Sequence, residues 1–148
     1  MKKIILTLLL MTLPISVFAN YNPVLLKKGI ETAPIFNGSG WSDNGGMSKL
    51  STTVPGLKIL VLKENAALTM RLENDAQLGD TVKRCEQLAF IGMTPDADGK
   101  SAIVDMVNSV TKDGPPKNLT LNGVELVVEY VTIKRLKKAV FSCSLSAK

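Results

Sequence analysis

Cys85 and Cys143 are the two thiols of a 148-residue chain that contains no histidine. Without imidazole, Ser-His-Asp and Cys-His catalysis, His-ligated zinc and a histidine pH switch are all excluded. Two thiols are also too few for a four-thiolate metal site or an iron–sulfur cluster. They lie 58 residues apart and form no C-x-x-C motif, which argues for a structural disulfide over a redox pair.

Six further features could do chemistry. Lys134, Arg135, Lys137 and Lys138, with Leu136 among them, make a basic run between two strand-like segments. Such a run either solvates a turn and discourages edge pairing or docks on an acidic partner or an anionic envelope polymer. Trp41, the only tryptophan, sits in a Gly/Asn/Ser-rich stretch, Phe36 to Gly46. It is a partly buried plug or a contact residue for a partner.

From Thr94, positions three, five, six and twelve of a calcium-type loop would be Asp96, Asp98, Gly99 and Asp105. Threonine at position one and aspartate at position twelve depart from that pattern. The competing reading is helix-start chemistry, with acidic side chains favoured by the dipole of the first turn. No metal and no cofactor are therefore assigned. Gly40-Trp41-Ser42-Asp43-Asn44 lacks the last glycine of a nucleophile elbow, and no histidine base exists for Ser42. Asp96, Asp98, Asp105, Glu125 and Glu129 are available for carboxylate catalysis, but the sequence does not say how far apart they stand. Asn118-Leu119-Thr120 fits a glycosylation acceptor, relevant only to a eukaryotic secretory route.

The elements that must position these residues follow from periodicity. Lys2-Lys3, the apolar run Ile4 to Leu13, Pro14 and Val17-Phe18-Ala19 have the order of a secretory signal peptide. The run is too short to span a membrane, so residues 1–19 are expected to be cleaved. Loss of Lys2 and Lys3 lowers the formal charge from +5 to +3, too little to drive nucleic-acid binding. Residues 20–148 then form a single exported domain, periplasmic or secreted, with no membrane span.

Within that domain residues 20–56 read as loop-rich, with Val24-Leu25-Leu26 as a first strand or a packing arm. Leu57 to Leu62 and Leu68 to Leu72 read as strands of a hairpin through Glu64-Asn65-Ala66. A helix is expected from Thr81 to Phe90, capped by Asp80 and ended by Gly92. A second carries the stripe Ala102, Ile103, Met106, Val107 and Val110, with Thr94-Pro95 as its start and Gly114-Pro115-Pro116 as its stop. Asn122-Gly123 is a strong hairpin signal between strands 118–121 and 124–133. In the last strand, Ala139 to Leu145, side-chain parity points Cys143 inward beside Phe141.

The expectation is an α+β domain: a small antiparallel sheet, about two helices on one face and one disulfide. Its expected function is non-catalytic: a binding module that contacts another exported or envelope protein, as an inhibitor, immunity-type protein or accessory subunit. The rival expectations are a carrier or sensor of a small ligand held between helix and sheet, and a hydrolase using carboxylates alone.

Overall fold

The computed structural model describes residues 21–148, so the expected signal peptide lies outside the described residues. The chain runs α1 (Pro23–Thr32), β1 (Gly38–Asn44), β2 (Met47–Thr52), β3 (Leu57–Val61), β4 (Asn65–Leu72), α2 (Leu78–Met93), α3 (Ala97–Asn108), β5 (Lys117–Leu121), β6 (Val124–Ile133) and β7 (Lys138–Ala147). The seven strands form one antiparallel sheet in the order β1-β2-β3-β4-β7-β6-β5. This is an α+β fold.

One face of the sheet is built from cross-strand rows of apolar side chains. Ile59, Leu68, Cys143 and Val128 stand in register, as do Leu57, Met70, Phe141 and Tyr130. All eight are buried. The period-2 patterns of β4, β6 and β7 place these residues on one side, since successive side chains alternate across a strand. Cys143 faces inward as its parity requires and is bonded to Cys85 of α2, with the two Cα atoms 5.8 Å apart. The disulfide thus fastens α2 to the buried face. A Cβ on Gly92 would run into the Leu145 side chain, so the glycine lets this end of α2 lie close to β7.

Several boundaries differ from the sequence reading. Val24-Leu25-Leu26 belongs to helix α1, a third helix, and not to a strand or arm. Asn22 accepts from the amides of Val24 and Leu25, and Pro23 occupies the first turn. These two residues start a helix for the usual reasons of capping and preset φ. Only Leu26 and Ile30 of α1 are buried, about one helical turn apart, whereas strand parity would bury Lys28 between them as well.

The Phe36–Gly46 stretch is mostly strand β1, so residues 20–56 hold α1, β1 and β2 and are not loop-rich. Gly45 and Gly46, with φ of 57° and 82°, close the β1–β2 hairpin as a primed turn. Helix α2 begins at Leu78, and Asp80 lies inside its first turn without capping it. Nor does Gly92 end the helix, which runs on to Met93 with Thr94 in the left-handed region beyond it. Asp96, and not Thr94-Pro95, caps α3 by accepting from the Gly99 amide at 2.8 Å.

The β5–β6 hairpin turns at Asn122-Gly123 with φ of 51° and 72°, as that dipeptide requires. Tyr21 donates its hydroxyl to the carbonyls of Leu62 and Asn65 and so ties the chain before α1 to the β3–β4 turn. Burial pushes that phenol up to about 12, keeping it a donor.

A crosslink across 58 residues removes loop entropy from the unfolded chain. The double variant Cys85→Ala with Cys143→Ala is expected to lose about 4 kcal/mol of stability in urea titration. A loss under ~1 kcal/mol would show that packing alone holds α2 on the sheet.

Candidate functional site

The basic run forms the β6–β7 turn. Ile133 and Lys138 are its closing pair, and the Leu136 amide donates to the Ile133 carbonyl at 3.0 Å. Lys137 takes a left-handed φ of 50°, which lets the chain reverse and enter β7. Lys134, Arg135 and Lys137 are exposed, and none has a carboxylate within ion-pair distance among the described residues. Leu136 stands between them with half its surface in water (50%), and Ile133 at the base of the turn is 38% exposed. The turn is an apolar knob ringed by three cations.

Lys138 does not belong to that ring. Its ammonium donates to both Glu73 carboxylate oxygens, at 2.7 and 2.6 Å, which ties the turn's β7 side to the end of β4. That hydrogen bond, more than any other influence, holds the Glu73 carboxyl below its ordinary range.

On the other side of the turn, Asp113 braces β6 beyond the end of its pairing with β5. Its amide donates to the Tyr130 carbonyl at 2.7 Å, and its carboxylate accepts from the Thr132 amide and hydroxyl at 2.6 and 2.9 Å. The Thr132 amide is the main reason that the Asp113 pKa is lowered. Strand β6 is thereby anchored on both sides before it enters the turn.

Trp41 lies elsewhere. It sits on edge strand β1 opposite Leu50, with strands β2, β3 and β4 between it and β7. The Lys27 ammonium of α1 is 5.9 Å from its ring centroid, within reach of a cation–π contact. Its indole Nε1 is buried and has no hydrogen-bond partner among the described residues. Lys27 also donates to the Ser48 hydroxyl at 3.1 Å and stands 3.7 Å from Asp43. Ser48 donates to Asp43 in turn, and this bond comes before Lys27 among the causes that lower the Asp43 pKa. The cluster fastens α1 to the β1–β2 hairpin. Trp41 and the basic turn do not form one surface.

The calcium-type spacing dissolves into a helix. Asp96 is the α3 cap, Asp98 lies in its first turn, and Asp105 is further along the same helix. Seven residues of helical rise separate Asp98 from Asp105, about 10 Å, whereas ligands of one calcium ion all lie within ~2.6 Å of it. Helix-start chemistry accounts for Asp96 and Asp98. Among the described residues no three acidic or cysteine side chains gather into a metal site.

Ser42 lies within β1, where a nucleophile elbow would need a sharp strand-to-helix turn. Glu125 and Glu129 share one face of β6 but are four residues apart, about 13 Å along the strand. Glu125 is moreover engaged by Lys148 at 2.8 Å and by Asn118 at 3.3 Å, contacts that lower its pKa, Lys148 first. Asn118 itself is exposed on edge strand β5.

One feature on the α2–α3 side was not legible in the sequence: a cleft of about 470 Å³ between the start of α2 and the end of α3. Val107 and Phe141 are among its lining, with Leu78, Val82 and Val110 at its sides and Asp75, Lys83, Glu86 and Asn108 supplying polar groups. The helical stripes announce buried apolar faces, but whether two such faces close on each other or leave a gap depends on the crossing of α2 and α3.

Comparison with protein-family models, curated proteins and solved structures finds no match to the chain. The site's own geometry therefore carries the functional argument.

Asp43, Glu73, Asp113 and Glu125 all have pKa values lowered by partners formed in the fold. A depressed carboxyl stabilises the fold above its unfolded pKa, here 3.8 or 4.5, and that contribution is lost as pH falls through the folded value. Thermal midpoints are expected to stay level from neutrality to about pH 5 and to fall below about pH 4. Asp113→Asn should flatten the acid limb. An acid limb of unchanged steepness in that variant would remove Asp113 from the account.

Proposed function

We propose that the chain is a small exported binding module, non-catalytic, that acts by protein–protein contact through the β6–β7 turn. The observation that carries this reading is Leu136, half exposed among Lys134, Arg135 and Lys137, three cations without ion-pair partners in the described fold. An apolar centre with a charged rim is the ordinary anatomy of a contact that excludes water and steers its partner. The complementary surface is an acidic patch around an apolar depression on another exported or envelope protein. An inhibitor, an immunity-type neutraliser or an accessory subunit would each present such a tip. The fixed base of the turn, with Glu73 holding Lys138 and Asp113 holding Thr132, supports the reading, because a preorganised loop loses less entropy on binding.

Export is part of the proposal and rests on the signal-peptide order of residues 1–19. No helix among the described residues is long and apolar enough to cross a membrane. The internal disulfide fits an oxidising compartment.

A second reading, carriage of a small apolar ligand, is favoured by the α2–α3 cleft, whose volume falls within the range of small-molecule sites.

Native mass spectrometry of the unreduced protein from its host's envelope tests the first reading. The native chain is expected to carry a second protein, and the triple variant Lys134→Glu, Arg135→Glu, Lys137→Glu is expected to appear without it. Exposed substitutions of this kind shift stability by only ~0.5 kcal/mol each, so the variant should stay folded. The same complex at the same abundance in the variant would sink the turn as the docking site.

For the second reading, an apolar fluorescent probe such as anilinonaphthalene sulfonate should brighten with the native chain. It should lose that signal with Gly79→Phe, which fills a position whose Cβ meets nothing within 4 Å. Equal brightening in the two would remove the cleft.

A further inference from the structure

The sheet face opposite the buried rows carries a different pattern. Ser42, Lys49, Leu60, Ala67, Ser144, Val127 and Asn118 form one row across all seven strands, each paired with the next. The neighbouring row reads Lys58, Thr69, Ser142 and Glu129 from β3 to β6. The residues at the centre, on β4 and β7, are small: Ala67, Thr69, Ser142 and Ser144. Cationic Lys58 lies on one flank and anionic Glu129 on the other. Neither has an ion-pair partner among the described residues.

From this pattern we infer that the open sheet face is a self-complementary surface on which a second copy of this chain packs. A two-fold axis parallel to the strands, running between β4 and β7 in the contact plane, exchanges β4 with β7 and β3 with β6 of the other copy. Each residue then meets its counterpart in the same row. Lys58 faces the other copy's Glu129, twice by symmetry; Leu60 faces Val127, and Thr69 faces Ser142. Isologous contacts require this kind of reciprocal match.

An axis across the strands maps each strand onto itself. Placed between the two rows, it sets Lys58 against Leu60 and Glu129 against Val127, leaving both charges unpaired in an apolar contact. The charge pattern therefore selects the axis along the strands. Small central residues allow the two sheets to approach, and the ~30° rotation usual between packed sheets displaces the flanking pairs by only a few ångströms, within reach of lysine and glutamate.

Strands β3, β4, β6 and β7, of 5, 8, 10 and 10 residues, present about 500 Å² per copy, below the ~800 Å² of a standard stable interface. The expected product is a weak dimer whose population rises with concentration. Its axis leaves both β6–β7 turns at the same end of the assembly, so the surface is separate from the docking tip and independent of that reading.

Sedimentation velocity over a concentration series tests the inference, using protein expressed from the full sequence. The native chain is expected to dimerise. Lys58→Glu alone and Glu129→Lys alone should each weaken the dimer at least ~tenfold, because each sets like charges opposite one another twice. Mixing the two variants in equal amounts should restore association to the native level, since the mixed dimer regains both opposite-charge pairs. The mixture also controls for misfolding, because neither variant could rescue the other if it had lost its sheet. A native chain monomeric throughout the series, a dimer indifferent to both substitutions, or a mixture that fails to associate would each overturn the inference.

Discussion

The pairing of β4 with β7 is the constraint on which the rest of the structure depends. It joins a half built from β1 to β4 with a half built from β5 to β7, and all eight residues of β4 take part. The chain travels through α2 and α3 between these strands, so the pairing cannot form as a local hairpin. A slip of one residue would turn every side chain of one strand to the wrong face. Leu68 and Cys143, Met70 and Phe141, and Ala66 and Leu145 all meet on the buried side, and the disulfide to α2 forms only if Cys143 stays there. Core packing and crosslink therefore specify the same register.

The same register sorts the charges. With the apolar rows committed to one side, Lys49, Lys58 and Glu129 are carried on the other. Cations near the strand ends divide by whether a carboxylate reaches them. Lys138 is held by Glu73 and Lys148 by Glu125, while Lys134, Arg135 and Lys137 extend past the last strand pair, where no carboxylate among the described residues reaches ion-pair distance. These five cations thus divide into two kinds. Two brace the fold, and three have no ion-pair partner among the described residues.

Much of this architecture was legible as a sequence because it rests on local rules. Asn122-Gly123 marks a primed hairpin turn whatever surrounds it, since both residues need positive φ. The parity of Val140 to Leu145 places Cys143 with Phe141 by strand geometry alone. Helix α1 and strand β1 depart most from the sequence reading. Helix α1 buries only Leu26 and Ile30 and leaves Val24 and Leu25 exposed, so its apolar cluster does not trace its buried stripe. Strand β1 contains Gly38, Ser39, Gly40 and Asn44, poor strand formers, and is a strand because β2 pairs with it. Strand preference depends largely on neighbours, which a linear reading does not supply.

The candidate site divides along the same line. The sequence by itself determined the chemical inventory: no imidazole, two thiols able to bridge, four cations in one run and a single tryptophan. It also determined the hairpin and helix signals that act over a few residues, because their physics is confined to adjacent backbone. Tertiary structure decided that Lys138 is neutralised while its three neighbours are not, and that Trp41 lies strands away from them. It also decided that Lys58 and Glu129 share one face. Each of these turns on Coulombic or steric contact between residues far apart in the chain, and only the seven-strand register sets those distances.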